Sequence, residues 1–264
     1  MVQDSNITNL RNVAERRRQL LQLLGERSHL SVREVSEALG VSEVTVRLDF
    51  AALEREGQLQ RIWGGATLPE PGRKEGTFAA RLEIQKAEKQ AIAEAAVEMV
   101  KDGDTLLLDA STTCFAIAQR LKEQRRDLYI ITNGLYTALE LANNPNITVV
   151  TLGGVVRPGT GSLVGTLGEE VLNRLHASKG FFSAMGMTVQ QGLSESNLQE
   201  SQLKTLMVRH VNQVIAVLDS TKLGRASFTT FCPFEKIDLL ITAGQAAREL
   251  SEPFIEQELE VVVV

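Results

Sequence analysis

The sequence predicts a small helical domain that ends in a β-hairpin, followed by a larger α/β domain with a mostly parallel sheet. Three observations support this prediction: three amphipathic helical stretches come first, a charged stretch rich in proline and glycine follows, and apolar strand-like runs then alternate with helices. A chain of 264 residues is longer than most single domains. We therefore expect the first domain at residues 13–68, a linker at 69–77 and the second domain at 78–264.

The first two helices are predicted from leucine spacing and from capping residues. After a polar, aperiodic start at residues 1–12, which we expect to be flexible, the first helix ends at Gly25. Ser31 and Glu34 have the spacing of a capping box, in which a hydroxyl and a carboxylate satisfy unpaired amides at a helix start. The second helix then stops at Gly40. The apolar positions of these helices are Leu20, Leu21, Leu23, Leu24, Val32, Val35 and Leu39.

A third helix and a hairpin complete the first domain. Ser42 can cap the third helix, which ends at Gly57, and residues 59–68 with the pair Gly64-Gly65 predict a short β-hairpin, the wing. The apolar positions of the third helix are Val46, Phe50 and Leu53. Two helices joined by a tight turn and followed by such a hairpin form a winged helix-turn-helix, whose third helix reads the DNA major groove.

Outward residues of the third helix and of the wing are candidates for DNA contacts. Arg47 can donate two hydrogen bonds to a guanine edge, and Thr45 suits a phosphate or a thymine methyl group. Arg61 and Trp63 would lie over the sugar–phosphate backbone or the minor groove. The predicted DNA-binding residues are Ser42, Glu43, Thr45, Arg47, Leu48, Arg61 and Trp63. A helical bundle with a solvated polar face is the alternative, which the Gly-Gly hairpin disfavours.

The formal net charge of −5 at first argues against a nucleic-acid partner. The first 74 residues, however, carry 11 basic and 10 acidic side chains, whereas the remaining residues carry 17 and 23. The acidic excess therefore belongs to the second domain. Because affinity for DNA depends on local neutralisation of phosphates, a near-neutral first domain can bind DNA through one basic face.

The second domain alternates apolar strands with helices. Its first helix is expected from about Phe78 to Val100. The expected strands lie at residues 105–109, 128–132, 147–152, 180–185, 214–218, 238–242 and 259–264. Strands that are apolar on both faces are typical of a parallel sheet covered by helices on each side.

Polar residues follow three of these strands and predict an anion site. Residues 109–113, Asp-Ala-Ser-Thr-Thr, end one strand and open a helix, so hydroxyls and backbone amides gather at the positive end of a helix dipole. Ligands of open α/β sheets bind outside the carboxyl ends of the strands, where these loops meet. Each loop alone could be ordinary helix capping. The predicted effector-binding residues from these loops are Asp109, Ser111, Thr112, Thr113, Thr132, Asn133, Gly153, Gly154 and Arg157.

Two lysines are further candidates for holding a phosphate. Lys204 lies on a helix that begins near Asn197, and Lys222 follows the strand at 214–218. Glu200 stands four residues before Lys204 and completes the predicted effector-binding set. An ordinary helix pair between these two residues, or a solvated surface lysine, is the alternative.

Other sequence features exclude several classes of protein. No run of 18 apolar residues and no apolar signal-peptide centre occur, so we expect a cytoplasmic protein with no membrane partner. Cys114 and Cys232 lack metal or redox spacing and are interpreted as buried apolar residues. No metal or cofactor is expected. The scattered His29, His176 and His210 receive no role.

These residues resemble the DeoR (deoxyribose-operon repressor) family of bacterial sugar-metabolism regulators over nearly the whole chain. The most specific stretch, residues 41–50, is similar to the family motif Val-Ser-x-x-Thr-Ile-Arg-Arg-Asp-Leu. The second domain is similar at the predicted effector residues, at Gly192-Leu193 and at residues 219–222. The chain departs from the family pattern at Leu48, at Ser111 and at Gln202, where arginine, glycine and glutamate respectively are usual.

The resemblance implies a sensor domain related to ribose-phosphate isomerases and glucosamine-phosphate deaminases, which binds a phosphosugar that relieves repression. It also implies a homodimer or homotetramer. We therefore expect a repressor of a carbohydrate-metabolism operon that binds double-stranded operator DNA and is released by a phosphorylated sugar. A corepressor role for the sugar stays open.

An enzyme with a DNA-binding appendage, similar to sugar-phosphate isomerases, is the main alternative. Isomerisation needs a carboxylate base beside the substrate carbons. In the related isomerases a paired-carboxylate segment precedes a glycine-rich turn, whereas the matching residues 183–188 carry no acid or base. A dinucleotide-binding protein is a weaker alternative, because no Gly-x-Gly-x-x-Gly follows a strand. The sequence favours a sensor that performs no reaction.

Overall fold

The computed structural model describes residues 13, 15–24, 27, 29–55, 58–62, 64–67 and 76–264. Within the chain, Met1–Ala80 and Arg81–Val264 form two compact units. The predicted flexible start, the helix-ending Gly25 and Gly57, the wing residues Trp63 and Leu68, and linker residues 69–75 lie outside the described residues. The limits predicted for the two domains and the linker stay predictions.

Three helices of the first unit pack around one apolar core. They are α1 (residues 15–24), α2 (Val32–Leu39) and α3 (Glu43–Arg55). The predicted capping box at α2 is confirmed: the Glu34 amide donates to Ser31 Oγ at 3.1 Å and the Ser31 amide donates to Glu34 Oε2 at 2.7 Å. The core consists of Leu20, Leu24, Leu30, Val32, Val35, Val46, Phe50, Leu53, Leu59 and Ala66. The predicted inward faces of α2 and α3 are therefore confirmed.

The predicted hairpin of the wing is confirmed, and a third strand that was not predicted pairs with it. Strands β1 (His29–Ser31), β2 (Gln60–Ile62) and β3 (Gly65–Thr67) are antiparallel in the order β1-β3-β2. A Cβ atom at Gly65 would lie 2.3 Å from the Leu30 carbonyl oxygen, so only glycine lets β1 pair with β3. The sequence analysis missed β1 because three residues give too short an alternating pattern.

A seven-stranded parallel sheet organises the second unit, which confirms the predicted α/β architecture. Its order is β15-β14-β12-β9-β4-β5-β6, and every pair of neighbours is parallel. The strands are β4 (Thr105–Leu108), β5 (Leu128–Thr132), β6 (Ile147–Thr151), β9 (Ala177–Phe182), β12 (Val211–Asp219), β14 (Leu239–Ala243) and β15 (Glu260–Val263). Separate apolar cores cover its two faces. The sheet is therefore buried on both sides, as its apolar strands predicted.

Helices and two small antiparallel sheets surround the large sheet. The helices are α5 (Lys86–Glu98), α6 (Thr112–Gln124), α7 (Leu135–Leu141), α8 (Glu169–Leu172), α9 (Leu198–Arg209) and α10 (Ala247–Ile255). The short helix α4 (Phe78–Glu83) crosses the boundary between the two units. Strands β7 (Val155–Val156) and β8 (Leu163–Val164) form one small sheet. The other consists of β10 (Gly186–Thr188), β11 (Gly192–Glu195) and β13 (Thr229–Cys232).

Two predicted boundaries of the second domain were wrong. The single helix expected from Phe78 to Val100 is broken into α4 and α5, because Gln85 has a left-handed backbone with φ of 50°. The strand expected at 180–185 is Ala177–Phe182, and the amide of the next residue, Ser183, leaves the sheet to donate to an Asp109 carboxylate oxygen at 2.9 Å. Neither the break between α4 and α5 nor the end of β9 at Phe182 is marked by a glycine or proline.

Candidate functional site

The start of α3 presents an exposed face beside the wing. Ser42 precedes the helix, and its Oγ accepts from the Thr45 amide at 3.2 Å, which confirms the predicted cap. Val44 and Leu48 are 64% and 65% exposed, far more than apolar side chains of a packed helix need to be. These two residues make the exposed face of α3 partly apolar, and Leu48 stands where the family that the sequence resembles usually has arginine.

Arg47 and Arg61 line one cleft between α3 and the wing. The cleft has a volume of about 350 Å³ and is also lined by Val32, Phe50, Ile62, Gly64 and Gly65. Arg47 Nη2 donates to Glu43 Oε2 at 2.8 Å, one helix turn earlier. Because both side chains are exposed, this pair contributes little to stability and can be exchanged for a phosphate or a base edge. The structure therefore brings together four of the predicted DNA-binding residues, Glu43, Thr45, Arg47 and Arg61, on neighbouring elements.

Asp49 lies on the buried side of α3, opposite its exposed face. It is only 2% exposed, and its two carboxylate oxygens accept from Arg16 Nε at 2.6 Å and Arg17 Nε at 3.0 Å. Two charge-assisted hydrogen bonds thus hold α1 against α3. The sequence analysis gave Asp49 no role, although an acidic residue one position before the buried Phe50 and an arginine run in α1 were the available signal.

The carboxyl ends of the parallel neighbours β4, β5 and β6 share one edge of the sheet, where the predicted effector loops follow them; this edge is called the crevice below. Asp109 follows β4 and is completely buried. Its Oδ1 accepts from the Ser111 amide at 3.0 Å, and its Oδ2 lies 2.9 Å from Lys204 Nζ. Ser111 in turn caps α6, because its Oγ accepts from the Cys114 amide at 3.0 Å. Thr112 and Thr113 occupy the first turn of α6.

Lys204 is a buried cation with its three donors engaged. Its Nζ lies 2.9 Å from the Ser183 carbonyl oxygen, 2.6 Å from Glu195 Oε1 and 2.9 Å from Asp109 Oδ2. The side chain is 3% exposed, so the alternative of a solvated lysine is wrong. Burial opposes the charge, but the charges of Asp109, Glu195 and Glu200 outweigh burial and raise the pKa of Lys204.

Asp109 is ionised because nearby charge and hydrogen bonds outweigh its burial. Burial raises the pKa of this carboxyl, whereas the Lys204 charge and the hydrogen bonds from Ser111 and Lys204 lower it, and the lowering prevails. The adjacent Cys114 thiol has its pKa raised by burial and by the Asp109 charge, so it stays protonated. The buried group is thus an ion pair, and the cysteine is inert as predicted.

Two acidic residues extend the charged cluster. Glu195, at the end of β11, is 4% exposed and was missed by the sequence analysis, because the antiparallel sheet that carries it was not predicted. Glu200 forms an ion pair with Arg157 across the crevice. The ion-pair partner of Glu200 is therefore on a loop distant in sequence. The alternative considered from the sequence was a pair with Lys204 on the same helix.

The remaining predicted loop residues shape the crevice. Thr132 Oγ1 accepts from the Gly134 amide at 3.0 Å, and Asn133 Nδ2 donates to the Leu163 carbonyl oxygen at 3.1 Å. The oxygen of the same side-chain amide, Asn133 Oδ1, is buried without a hydrogen-bond partner among the described residues. Gly153 and Gly154 lead into the β7–β8 sheet, where a Cβ on Gly154 would lie 2.5 Å from the Val164 carbonyl oxygen.

Lys222 lies at the same edge of the sheet but on another strand. It ends the short 3-10 turn Ser220–Lys222 that follows β12, two strands away from β4 in the sheet. Asp219 caps this turn, since its Oδ1 accepts from the Thr221 amide at 3.1 Å. The structure joins Asp109 with Lys204 and Arg157 with Glu200 by direct contacts, and it places Lys222 at the rim of the same edge.

Among the described residues no helix is long and apolar enough to cross a membrane.

Comparison with known proteins identifies both halves of the chain. A DeoR-like helix-turn-helix domain matches residues 16–71, and a DeoR C-terminal sensor domain matches residues 84–243. Among solved structures, a D-ribose-5-phosphate isomerase in complex with phospho-erythronic acid aligns with a TM-score of 0.40 and 12% identity, over 52% of this chain and 53% of that chain. A similarity of this size supports no conclusion about function.

Curated relatives are similar over most of their length. The HTH-type transcriptional regulator GolR of Listeria innocua is 39% identical over 249 residues, 94% of this chain and 98% of the relative. The HTH-type transcriptional repressor GlcR of Bacillus subtilis is 32% identical over 84% of this chain and 85% of the relative. The lactose phosphotransferase system repressor of Staphylococcus epidermidis is 31% identical over 93% and 98%. The chain therefore belongs to the DeoR family of HTH-type transcriptional regulators.

Proposed function

We propose that this regulator represses a carbohydrate-metabolism operon and leaves its operator when a phosphorylated sugar binds the crevice of the second unit. The observation that carries the proposal is the arrangement at this edge: hydroxyls and amides at the start of α6 adjoin a buried ion pair between Asp109 and Lys204. The names of relatives such as GlcR and the lactose phosphotransferase system repressor support control of sugar genes.

DNA recognition is assigned to α3 and the wing. Arg47 and Arg61 border one cleft, so they can contact a base edge and a phosphate of the same groove. Ser42, Glu43, Thr45, Leu48 and Trp63 complete the proposed interface. Leu48 cannot donate a hydrogen bond, so its contact is apolar, and a thymine methyl group is the chemically suitable partner. A homodimer or homotetramer would place two such units on spaced half-sites.

The phosphate of the effector is assigned to the start of α6. This helix has 13 residues, and its first-turn Thr112 and Thr113 place hydroxyls beside the backbone amides at the positive end of the helix dipole. Lys222 supplies a cationic charge from the rim. Lys204 has its donors directed to protein oxygens, so its proposed role is to fix Asp109 and lend positive charge to the crevice.

The sugar hydroxyls are assigned to the polar groups around β5 and β6. Asn133 Oδ1 is a buried acceptor without a partner among the described residues, and a ligand hydroxyl would satisfy it. Arg157 and Glu200 offer a charged pair that can exchange partners with vicinal hydroxyls. Thr132, Gly153 and Gly154 set the backbone path that brings these groups together.

We also propose that the crevice binds without turnover. A general base works best with a pKa near the working pH, whereas the Lys204 charge lowers the pKa of Asp109, and Glu195 is paired with the same lysine. The competing enzyme is tested by incubating the pure protein with ribose 5-phosphate and assaying for the ketose. Formation of ketose at rates above the uncatalysed reaction would replace the sensor by an isomerase.

A thermal-shift screen tests the effector assignment. The full chain is heated with ribose 5-phosphate, glucose 6-phosphate, fructose 6-phosphate or glucosamine 6-phosphate, each compared with its unphosphorylated sugar. A compound present at 100 times its Kd stabilises the folded state by about 2.7 kcal/mol, which raises Tm measurably. We expect at least one phosphosugar to raise Tm while its parent sugar does not. Identical shifts for both forms would remove the phosphate from the proposal.

A further inference from the structure

The helix break at Gln85 is held together by a buried lysine. Lys89, in the first turn of α5, donates from Nζ to the carbonyl oxygens of Arg81 and Ile84, at the carboxyl end of α4. These are carbonyls that a helix end leaves without partners, and the ammonium group satisfies them. Lys89 therefore joins the backbone at the end of α4 to the first turn of α5.

The neighbouring residue, Glu88, connects α5 to the rim of the crevice. Its Oε2 accepts from the Ser220 amide at 3.1 Å and from Ser220 Oγ at 3.3 Å. On the other side the carboxylate lies against Gly244, where a Cβ would come within 2.6 Å of Glu88 Oε1. The carboxylate thus fills the space between the ends of β12 and β14, and it is held by the 3-10 turn that carries Lys222.

The charges in and beside the same turn also affect the pKa of Lys89. Burial lowers the pKa of Lys89 to about 8, while the charge of Asp219 raises it and the charge of Lys222 lowers it further. Both charges belong to the rim turn or immediately precede it. A change of charge at this turn is therefore felt by the lysine that joins α4 to α5, and α4 follows directly on the segment that leads to the DNA-binding unit.

We propose that Glu88 is a positioning residue that passes effector occupancy from the turn Ser220–Lys222 to α4. The inference rests on the proposed function. A phosphate brought near Lys222 repels the Glu88 carboxylate and competes for the Ser220 amide, since both are anionic acceptors. Loss of that contact frees the start of α5, and α4 moves with it because Lys89 joins the two helices. The ligand-bound and ligand-free forms then differ in the segment that enters the sensor.

Operator release by Glu88→Ala tests this role in the full chain. A duplex is first selected from a random library by the wild-type protein, and its Kd is measured with and without the phosphosugar that gives the largest thermal shift. We expect about 10-fold weaker operator binding with the phosphosugar for the wild type, within the usual range of allosteric coupling. Glu88→Ala should bind the operator about as well as the wild type and the phosphosugar at least as tightly, because the competing carboxylate is gone, with the release reduced to less than about threefold.

Glu94→Ala is the matched control, because Glu94 lies on the same helix but pairs with Arg120 instead of the rim turn. It should release the operator as the wild type does. Ser220→Ala removes one of the two hydrogen bonds to Glu88 and serves as the second variant if Glu88→Ala does not fold; it should reduce the release by an intermediate factor.

Hydrogen exchange of residues 78–86 gives an independent readout. The phosphosugar should change exchange there in the wild type and in Glu94→Ala, but not in Glu88→Ala. Wild-type release and wild-type exchange changes in Glu88→Ala would overturn the inference. If no phosphosugar alters operator binding by the wild type, the proposed function itself fails and the inference falls with it.

Discussion

At the scale of single residues, the second unit depends on a buried lysine that three oxygen atoms surround. Lys204 neutralises Asp109 and Glu195, both nearly inaccessible to solvent. Removing one partner from a buried ion pair leaves an uncompensated charge, which costs far more than the pair contributed. The stability of the second unit therefore depends on this side chain.

Lys204→Met should destabilise the second unit by about 3 to 5 kcal/mol, because two buried carboxylates lose their counter-ion. The free energy of unfolding is measured in urea. Lys179→Met is the control: Lys179 pairs with Asp104 at a partly exposed position, and its loss should cost about 1 kcal/mol or less. Equal losses in the two variants would show that the Lys204 cluster is not the buried ion pair described above.

Lys89 predicts a pH dependence of stability. Its folded pKa of about 8 lies below the unfolded value of about 10.4, so between these values the unfolded state binds more protons. The free energy of unfolding of the wild type, minus that of Lys89→Met, should therefore rise from pH 8 to pH 10.4, by up to about 3 kcal/mol. A difference that stays flat over this range would contradict the burial of the ammonium group.

Arg47→Ala should weaken operator binding by about 1 to 3 kcal/mol, because one bidentate contact to a base edge is lost. Phosphosugar binding, measured by thermal shift, should stay unchanged. Arg33→Ala is the control, since Arg33 is exposed on α2 and pairs with Glu37 on the same helix. Parallel loss of both activities in Arg47→Ala would argue against separate DNA-binding and sensing units.

At the scale of secondary structure, the wing depends on a close approach of two strands. Gly65→Ala should disrupt pairing of β1 with β3, because its Cβ would meet the Leu30 carbonyl oxygen, and operator binding should fall while phosphosugar binding stays. Gly40→Asn is the matched control: Gly40 has φ of 64° with open space around it and does not line the cleft of Arg47 and Arg61, and asparagine tolerates this conformation. Operator binding by Gly65→Ala equal to that of the control would contradict the three-stranded wing.

Periodic elements of this chain were predictable, whereas contacts between distant segments were not. Helices α2 and α3 have apolar residues at helical spacing and clear caps, and β4 and β5 are short runs of apolar residues, so local patterns identify them. The break between α4 and α5 is stabilised by Lys89, and β1 exists only because β3 pairs with it. Neither cause is visible in a local window.

The candidate site likewise contains some residues that were predictable from the sequence and others that were not. Ser111 and Asp109 were predictable because they follow an apolar strand and open a helix. Glu195 and the pairing of Arg157 with Glu200 were not, because these contacts join residues more than five apart in sequence through tertiary structure. The role of Asp49 beneath α3 likewise requires knowing that α1 lies against it.

At the scale of the whole molecule, the central claim is that occupancy of the crevice by a phosphosugar weakens the hold of α3 and the wing on DNA. A ligand can do this only if it binds the two forms of the protein with different affinity. The fluorescence anisotropy of a labelled operator duplex, bound by the full chain and titrated with a phosphosugar and with its unphosphorylated parent, measures this difference directly. We expect release by the phosphosugar alone; release by neither compound, or equal release by both, would contradict this coupling.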